Sequence, residues 1–373
     1  MTGDLDVAVN LLWLAPGRVG GSEQYLVRQL AGLPPASGIA PRLMVQRAFV
    51  EAHRDLATRF VTEVWPLDRD WRWARIVAEH TWLVARSRTA DVVHHGGGTV
   101  PLAAPRPILL TVHDLQYVQH PQYFSRTRLG YLRWMMPRSV RRAAVVAVPS
   151  AFVRGTVIDT FGIDADRVVV VPHGVPAATP IDRSTDAQLR ARYGLGARPY
   201  VVYPAITHPH KGHARLLDMM PALDADVALL LVGGPGAAET DVMAAIRDRG
   251  LAGRVVRTGR VTDAERDALI AGAEALVFPS QYEGFGAPLV EAMTLDVPIV
   301  ASAQPAVREV VGDAGVLVAD GDAGRGEAWT AAVQDAIRRR DELVAAGRAR
   351  RRAFTIEASG AALAAAYRQA AGG

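Results

Sequence analysis

The sequence of 373 residues contains no cysteine, so disulfide bonds and thiolate metal sites are excluded. It also lacks any run of 18 or more apolar residues, and no transmembrane helix is predicted. The residues before the apolar run 7–14 are acidic where an export signal carries positive charge, which predicts a cytoplasmic protein. Half of the residues are apolar and 21% are charged, a balance typical of a packed α/β protein.

Positive charge is in slight excess, since the formal net charge is +4 and the pI is about 9.6. Arginine supplies most of this charge. Proteins that bind a nucleotide, a phospholipid surface or a nucleic acid show such an excess. Arginines that are merely solvated on the surface produce the same excess, and the charge alone favours this second interpretation.

Short apolar runs rich in β-branched residues alternate with longer helical patterns along the chain. The strand candidates are residues 7–14, 43–46, 91–95, 108–112, 145–148, 168–171, 200–203, 227–232, 255–258, 275–278, 298–301 and 315–318. Strands that alternate with helices predict parallel sheets built from βαβ units. A polar, proline-containing stretch near 175–198 divides the series into two.

We therefore predict an α/β fold with two Rossmann-like doubly wound domains. They span residues 1–175 and 199–354, joined by a linker at 176–198. A C-terminal helix at 355–373 follows and is expected to pack back on the N-terminal domain. Because open parallel sheets bind ligands at the carboxyl ends of their strands, two such domains predict an active site in a central cleft that both face.

The most informative segment, residues 279–293, follows the strand candidate 275–278. Gly284 and Gly286 allow close backbone approach, and Pro288 is typical of the first turn of a helix. The amino end of a helix offers N–H groups and a positive dipole to a diphosphate. Glu283 precedes this turn and Glu291 lies about a turn inside the helix, so the two carboxylates can bind two different polyols. A solvated and a capping glutamate are the alternative interpretation.

The pattern Glu-Gly-Phe-Gly-x-Pro-x-x-Glu-Ala after Phe-Pro-Ser resembles the Glu-x7-Glu signature of glycosyltransferase family 4. The resemblance implies a GT-B fold and a retaining, metal-independent sugar transfer from a nucleoside diphosphate. It also implies that Glu283 and the backbone of Gly284, Phe285 and Gly286 hold the donor sugar and phosphates, while Glu291 holds the ribose. The first domain would bind the acceptor and the second the nucleotide sugar.

Two further motifs extend the resemblance into the first domain. Gly20 and Gly21 look like the family's N-terminal glycine loop against the donor diphosphate, although a plain turn explains them as well. His113, in a pattern similar to the family's His-Asp motif, would lie beside the anomeric carbon; the alternative is a structural histidine held by Asp114. Asp114 and Tyr117 are the acceptor-binding candidates.

Lys211 follows the strand candidate 200–203 and resembles the lysine that opens the family's second domain. It would neutralise the departing diphosphate, which is the electrostatic task that limits this chemistry. His208, His210 and His213 surround it and are zinc-like ligand types. No acidic partner is near them in the sequence, so a metal site is the weaker interpretation.

The chain departs from the family at three places, one of which is Arg308-Glu309 where Pro-Glu is usual. Pro204 and Ala205 stand where many relatives carry Gly-Arg, which removes a second cation from the diphosphate; Arg257 or Arg260 would have to compensate, or Lys211 acts alone. Arg260 and Val261 align with the region whose backbone meets the nucleobase. Asp296 replaces a glycine that is usual after the helix of Glu291.

No cofactor is implied beyond the donor substrate, which is a GDP-, UDP- or dTDP-linked sugar, with mannose or a deoxysugar favoured. The acceptor classes are a glycan, a lipid-linked molecule or a natural product. Asp-x-Asp pairs at 68/70, 224/226 and 320/322 are also compatible with a GT-A-like metal. An epimerase or phosphorylase on the same fold and a non-catalytic partner subunit are consistent with the sequence too, and the oligomeric state is open.

Two segments combine aromatic residues with arginine, at 117–142 and 69–82. Such segments suit a headgroup surface or a lipid-linked acceptor, which makes peripheral contact with the inner membrane face one interpretation. An amphipathic helix whose arginines cover its own core is the other. No nucleic-acid partner is expected.

Overall fold

The computed structural model of the protein describes residues 3–17, 20–67, 72–178 and 183–372. The chain forms two compact units, one comprising Met1–Pro176 with Phe354–Gly373 and the other comprising Ala177–Ala353. We call them unit 1 and unit 2. Each is a parallel sheet with helices packed against it.

Unit 1 contains seven strands within the described residues: β1 (Leu5–Asn10), β2 (Ile39–Val45), β3 (Val61–Val64), β4 (Val92–His95), β5 (Ile108–Thr111), β6 (Val145–Val148) and β7 (Val168–Val170). Their order in the sheet is β3-β2-β1-β4-β5-β6-β7. The helices up to this point are α1 (Gly21–Ala31), α2 (Arg47–Ala52), α3 (Arg54–Arg59), α4 (Arg72–His80), α5 (Trp82–Arg86), α6 (Gln116–Gln119), α7 (Arg126–Arg142) and α8 (Ala151–Phe161).

Unit 2 contains six strands within the described residues: β8 (Tyr200–Pro204), β9 (Ala228–Val232), β10 (Val255–Gly259), β11 (Ala275–Phe278), β12 (Ile299–Ser302) and β13 (Val316–Val318). Their order is β10-β9-β8-β11-β12-β13. The helices are α9 (Arg183–Arg192), α10 (His213–Met219), α11 (Glu239–Asp248), α12 (Asp263–Ala271), α13 (Ala287–Thr294), α14 (Pro305–Val311), α15 (Gly326–Arg338) and α16 (Arg340–Arg350).

The last helix, α17 (Ile356–Ala371), belongs to unit 1 and packs against α1. Glycines permit this close approach, because a Cβ atom on Gly32 would lie 1.8 Å from the carbonyl oxygen of Ile356. Tyr367 on α17 is hydrogen-bonded to buried His94 at 2.8 Å, and His94 is bonded to Thr111 at 2.8 Å. The core of unit 1 therefore includes the end of the chain.

Three differences between the structure and the predicted elements concern β1, β3 and the predicted linker. Strand β1 ends at Asn10, before the apolar run does, because the Asn10 side chain accepts a hydrogen bond from the Leu12 N–H at 3.1 Å and closes a turn. Strand β3 was not predicted; its Val61 is 63% exposed at a sheet edge, so no buried run marks it. The predicted linker 176–198 contains α9, whose Arg190 donates a hydrogen bond to the carbonyl of Gly272 at 3.0 Å.

Candidate active site

The strand order of unit 2 reverses between β8 and β11, which are neighbours in the sheet. The loops that leave the carboxyl ends of these two strands therefore meet at a topological switch point, where open parallel sheets bind ligands. The loop after β8 carries Lys211, and the loop after β11 carries Glu283. Two of the predicted site residues thus come together through strand order alone.

Hydrogen bonds fix these two loops to each other. The Tyr203 hydroxyl donates to the carbonyl of Lys211 at 2.8 Å and lies 3.1 Å from the Ser280 hydroxyl. The Gln281 N–H donates to the carbonyl of His210 at 2.7 Å. Both loops are therefore held together by a backbone hydrogen bond and by a buried tyrosine from β8, so the backbone positions of Lys211 and Glu283 are fixed.

The Lys211 ammonium donates a hydrogen bond to the Glu283 carboxylate at 2.7 Å. The two side chains are 22% and 12% exposed, so the pair is mostly buried but open on one side. Lys211 is the only lysine among the 42 basic residues of the chain. An ammonium is a compact point charge with three donors, and it can bind a phosphate oxygen and a carboxylate together.

Helix α13 begins directly after the Glu283 loop. Gly286 precedes it with a φ of 95°, in the left-handed region that favours glycine, and a Cβ atom there would lie 2.8 Å from the Leu289 side chain. The ring of Phe285 is buried, and Gly284 lies between it and Glu283. Glu291 is in the second turn of α13 and is 8% exposed. The helix terminus and two carboxylates predicted from the sequence are thus placed in one segment.

Arg266 on α12 is a neighbour of Glu291 that the sequence did not reveal. Its Nε lies 3.7 Å from a Glu291 carboxylate oxygen, and its other nitrogens bind Asp263 at 2.9 Å and Asp267 at 2.7 Å. Burial lowers the pKa of Arg266, but the charges of Glu291, Asp267 and Asp263 outweigh it, so the pKa is raised. From the sequence alone, Arg266 would be interpreted as a member of an ordinary ion pair on the surface of a helix.

The two arginines considered as substitutes at Ala205 have different surroundings. Arg257 is bound to Glu239 through a 2.7 Å ion pair. Arg260 is exposed, and its guanidinium lies 3.6 Å from the Cβ position of Gly234, in the loop that follows β9. The preceding residue, Gly233, abuts the carbonyl of Ala205, since a Cβ atom there would be 2.4 Å from that oxygen. Both arginines therefore lie near the loop of Ala205, since Glu239 also accepts a hydrogen bond from Thr207 of that loop at 2.5 Å.

Val261 follows Arg260 and is partly exposed after β10. Its position at the carboxyl end of a strand of unit 2 is the one expected of a residue whose backbone meets a nucleobase. That role stays a prediction.

In unit 1, His113 follows β5 and is partly exposed. Its Nε2–H donates a hydrogen bond to the carbonyl of Gly96 at 2.8 Å, and the rings of Trp13 and Tyr25 contact it at centroid distances of 5.8 and 5.3 Å. Burial lowers the pKa of His113 to about 4, although the hydrogen bond to Gly96 opposes the shift. The imidazole is thus neutral at pH 7, with Nδ1 as a hydrogen-bond acceptor.

The glycine loop lies at the start of α1. Gly20 has a φ of 68°, and a Cβ atom on Gly20 or Gly21 would meet no described atom within 4 Å, so the backbone is open to an approaching anion. Glu23, in the first turn, accepts hydrogen bonds from the Gly17 N–H at 2.9 Å and from His53 at 2.8 Å. Residues 18–19 of this loop lie outside the described residues.

The two acceptor-binding candidates have local roles as well. The Asp114 carboxylate accepts a hydrogen bond from the Gln116 N–H at 2.9 Å, at the start of α6. The ring of Tyr117 packs in the core of unit 1, and burial raises the pKa of its hydroxyl to about 12. An acceptor role for either residue stays a prediction.

Comparison with known proteins identifies the family. Residues 198–339 match the family described as Glycosyl transferases group 1, and residues 19–179 match Glycosyltransferase Family 4. A GDP-mannose-dependent alpha-(1-6)-phosphatidylinositol monomannoside mannosyltransferase of Mycobacterium tuberculosis is 30% identical over 371 residues, which cover 92% of each chain. The chain belongs to glycosyltransferase family 4.

Other proteins are similar over a smaller region or in fold. O-antigen chain mannosyltransferase B of Escherichia coli is 32% identical over 237 residues, which cover 62% of this chain and 61% of that protein. The crystal structure of Anabaena HepE in complex with UDP and glucose has a TM-score of 0.74 at 21% identity, covering 97% of this chain and 98% of that one. The predicted GT-B fold of this glycosyltransferase is therefore confirmed.

Asp296, which replaces the glycine usual in the family, has a backbone conformation that glycine adopts more easily. Asp296 lies two residues after the end of α13 and has a φ of 58°, a left-handed conformation that aspartate tolerates better than most residues. Its carboxylate binds Arg348 on α16 at 2.7 and 2.8 Å. The ion pair holds in place a turn that glycine would form without strain.

The histidines around Lys211 do not converge on one point. His213 is buried against the ring of Tyr203 at 5.0 Å, and the rings of His208 and His210 stack at 5.8 Å. In the part of the chain that the structure describes, no three or more histidine, aspartate or glutamate side chains are arranged to hold a metal ion. The Asp-x-Asp pair at 68/70 and Trp71 lie outside that part.

Proposed function

We propose that this glycosyltransferase moves a hexose, with mannose first among the candidates, from a nucleoside diphosphate to a hydroxyl group of a glycan, lipid-linked or small-molecule acceptor. The anomeric configuration is retained and no metal ion takes part. The observation that carries this proposal is the 2.7 Å contact between Lys211 and Glu283 at the switch point of the unit 2 sheet.

Each charged group has a separate task in this proposal. Lys211 moves from Glu283 toward the diphosphate and neutralises the charge that develops as the glycosidic bond breaks. Glu283 then accepts hydrogen bonds from sugar hydroxyls, next to the backbone amides before α13. Glu291, in the second turn of α13, accepts hydrogen bonds from the ribose hydroxyls, and Arg266 at 3.7 Å balances its charge.

His113 acts as an acceptor in this proposal. Because its Nε2–H is already donated to Gly96, only Nδ1 is available, and a neutral Nδ1 can accept a hydrogen bond from a hydroxyl of the sugar. A histidine with a pKa of about 4 is the neutral imidazole at pH 7, without the second ring proton, and so is not an imidazolium general acid there.

The names of these two relatives support mannose over other sugars. One is a GDP-mannose-dependent enzyme, and the other is named as a mannosyltransferase. HepE was crystallised with UDP and glucose, so the GT-B fold by itself is compatible with more than one base and sugar. The donor base is therefore the first quantity to measure.

Donor binding is tested by thermal unfolding with GDP, UDP, dTDP, ADP and CDP, each with and without EDTA. A nucleotide at 100 times its Kd stabilises the folded state by about 2.7 kcal/mol. We expect one nucleotide to raise the midpoint in EDTA and Glu291→Ala to abolish the rise. Glu342→Ala, at a glutamate that is 64% exposed on α16, is the matched control and should keep it.

Catalysis is tested with the sugar of the stabilising nucleotide and simple hydroxyl acceptors. We expect a glycoside whose anomeric configuration, measured by NMR, equals that of the donor. An inverted product would exclude retention, and activity lost in EDTA would exclude a metal-independent reaction. Release of an isomerised sugar nucleotide, a need for phosphate, or nucleotide binding without turnover on any donor would favour the epimerase, the phosphorylase or the partner subunit, respectively.

A further inference from the structure

The glycine loop at the start of α1 contains a buried carboxylate that has no task in the proposed sugar transfer. Glu23 stands two residues after Gly21 and is 6% exposed. A carboxylate is rarely buried unless neighbouring groups form hydrogen bonds with it, because the removal of its charge from water is costly. The partners of Glu23 therefore indicate what it does in this loop.

Each carboxylate oxygen of Glu23 has a partner outside α1. Oε2 accepts a hydrogen bond from the Gly17 N–H at 2.9 Å, and Oε1 accepts one from His53 Nε2 at 2.8 Å. A glutamate at this position of a helix commonly bonds the N–H of the residue before the helix, as Glu265 does with Thr262 at α12. Glu23 instead reaches Gly17, three residues further back, and ties the two ends of the glycine loop together.

His53 connects this carboxylate to the core of unit 1. It lies between α2 and α3, where its backbone N–H donates to the Phe49 carbonyl at 2.8 Å and its ring packs on the buried Phe49 ring at a centroid distance of 4.8 Å. The side chains of Glu23 and His53 are 8% and 15% exposed, so solvent screens their contact little. The glycine loop is thereby fixed to a packed part of the unit.

The loop needs such a support because glycines supply few side chains that could fix it. Gly17 and Gly20 have φ values of 72° and 68°, in the left-handed region. Glycine loses more conformational entropy than any other residue when it becomes ordered, so ordering such a loop around an anion is unfavourable. The two hydrogen bonds of Glu23 order the ends of the loop before a ligand arrives, and preorganised donors bind charge more effectively.

We propose that Glu23 and His53 are positioning residues, which hold the glycine loop in the conformation whose backbone binds the donor diphosphate. Glu23 does not bind the donor itself, because each of its oxygens already has a partner and its charge repels a phosphate. This inference rests on the proposed function, since it requires a nucleoside diphosphate at the loop. It adds a residue that lies 30 positions from Glu23 and outside every motif of the sequence.

An ordinary structural ion pair is the alternative explanation. Arg42 and Glu63 form such a pair at 2.8 Å, on strands β2 and β3 at the edge of the same sheet. Loss of a structural pair lowers stability and leaves the affinities for different phosphates in the same ratio. Loss of a positioning pair lowers the additional affinity that a diphosphate has over a monophosphate.

The test is calorimetric titration of the full chain with GDP and GMP, or with the corresponding pair for whichever nucleotide stabilises the parent. We expect Glu23→Ala to lower the preference for the diphosphate about tenfold and kcat/KM of sugar transfer about 10–100-fold, the range of a hydrogen bond to a charged group. His53→Ala should lower both about 3–10-fold, because the bond to Gly17 remains. His53→Gln, whose amide still donates to Glu23, should restore the parent values within about twofold.

The matched control is Glu63→Ala, which removes a glutamate of unit 1 that is 21% exposed. It should lower the unfolding midpoint and keep the preference for the diphosphate. Parent values in a folded Glu23→Ala, or equal losses in Glu23→Ala and Glu63→Ala, would overturn this inference alone.

The His53 variants decide the question if Glu23→Ala does not fold. Equal losses in His53→Ala and His53→Gln would then overturn the positioning role, and rescue by glutamine would support it. Absence of nucleotide binding in the parent would overturn the proposed function together with this inference, so the two failures are distinguishable.

Discussion

The ion pair between Lys211 and Glu283 allows a double-mutant cycle that separates folding from catalysis. The changes are Lys211→Ala, Glu283→Ala and the double variant. Lys211→Ala leaves a carboxylate that is 12% exposed without its cation, whereas Glu283→Ala leaves an ammonium that is 22% exposed and can reach water. We therefore expect Lys211→Ala to lower the free energy of unfolding more than Glu283→Ala does.

The size of the effect follows from the geometry. Two unit charges 2.7 Å apart attract by about 6 kcal/mol at an effective dielectric constant of about 20. Desolvation and the ordering of two side chains offset most of this attraction, which leaves a coupling energy of about 1–2 kcal/mol in the cycle. Lys211→Ala removes the cation that neutralises the leaving diphosphate, so we expect it to lower kcat about 10²–10³-fold.

The assays are urea unfolding, donor turnover and NMR of the lysine ammonium. Because the chain has a single lysine, ¹⁵N-lysine labelling gives one side-chain signal that belongs to Lys211. We expect the stabilising nucleotide to shift this signal, and Glu283→Ala to shift it without nucleotide. A coupling energy below about 0.3 kcal/mol together with unchanged turnover of Lys211→Ala would refute the reasoning.

Two more predictions concern backbone strain and pH. Gly286→Ala puts a Cβ atom at a φ of 95° and 2.8 Å from the Leu289 side chain. We therefore expect a loss of about 1–3 kcal/mol in the free energy of unfolding and a smaller rise of the unfolding midpoint with nucleotide. The control is Gly253→Ala, whose Cβ atom would meet no described atom within 4 Å and should change stability by less than about 0.5 kcal/mol. His213 is buried, and burial lowers its pKa to about 4. As the pH falls below 6.5, the histidine of the unfolded chain binds a proton before that of the folded chain does. The stability that depends on neutral His213 is therefore complete above pH 6.5 and is lost as the pH falls toward 4. His213→Phe should therefore gain about 2 kcal/mol more at pH 5 than at pH 8 in urea unfolding, and equal gains would contradict the low pKa.

Much of the fold could be predicted from the pattern of apolar residues. Most of the strands that the sequence predicted are runs of buried residues, and a strand buried on both faces shows as a continuous apolar run in the sequence itself. Strand β3 was not predicted because its valines are exposed at the sheet edge. Strand β1 is shorter than predicted because the Asn10 side chain closes a turn after it. Polarity alone marked residues 176–198 as a linker, although α9 packs there through Leu189.

The site residues divide in a similar way. Glycines, prolines and glutamates at fixed spacing around 279–293 indicate a ligand-binding turn in the sequence itself. Arg266, Gly96 and His53 gave no comparable signal. Each acts through a neighbour that is distant in sequence, and a single arginine, glycine or histidine has too many ordinary roles to stand out.

The sequence by itself determined the family and the two sheets, and it predicted which loops would bind the substrate, because these depend on local spacing and on the burial of short apolar runs. Only the tertiary structure decided which groups meet. Lys211 and Glu283 lie 2.7 Å apart because β8 and β11 are adjacent in the sheet, and strand order is a non-local property. It also decided that His113 is neutral, because burial and hydrogen-bond direction depend on what packs around a residue.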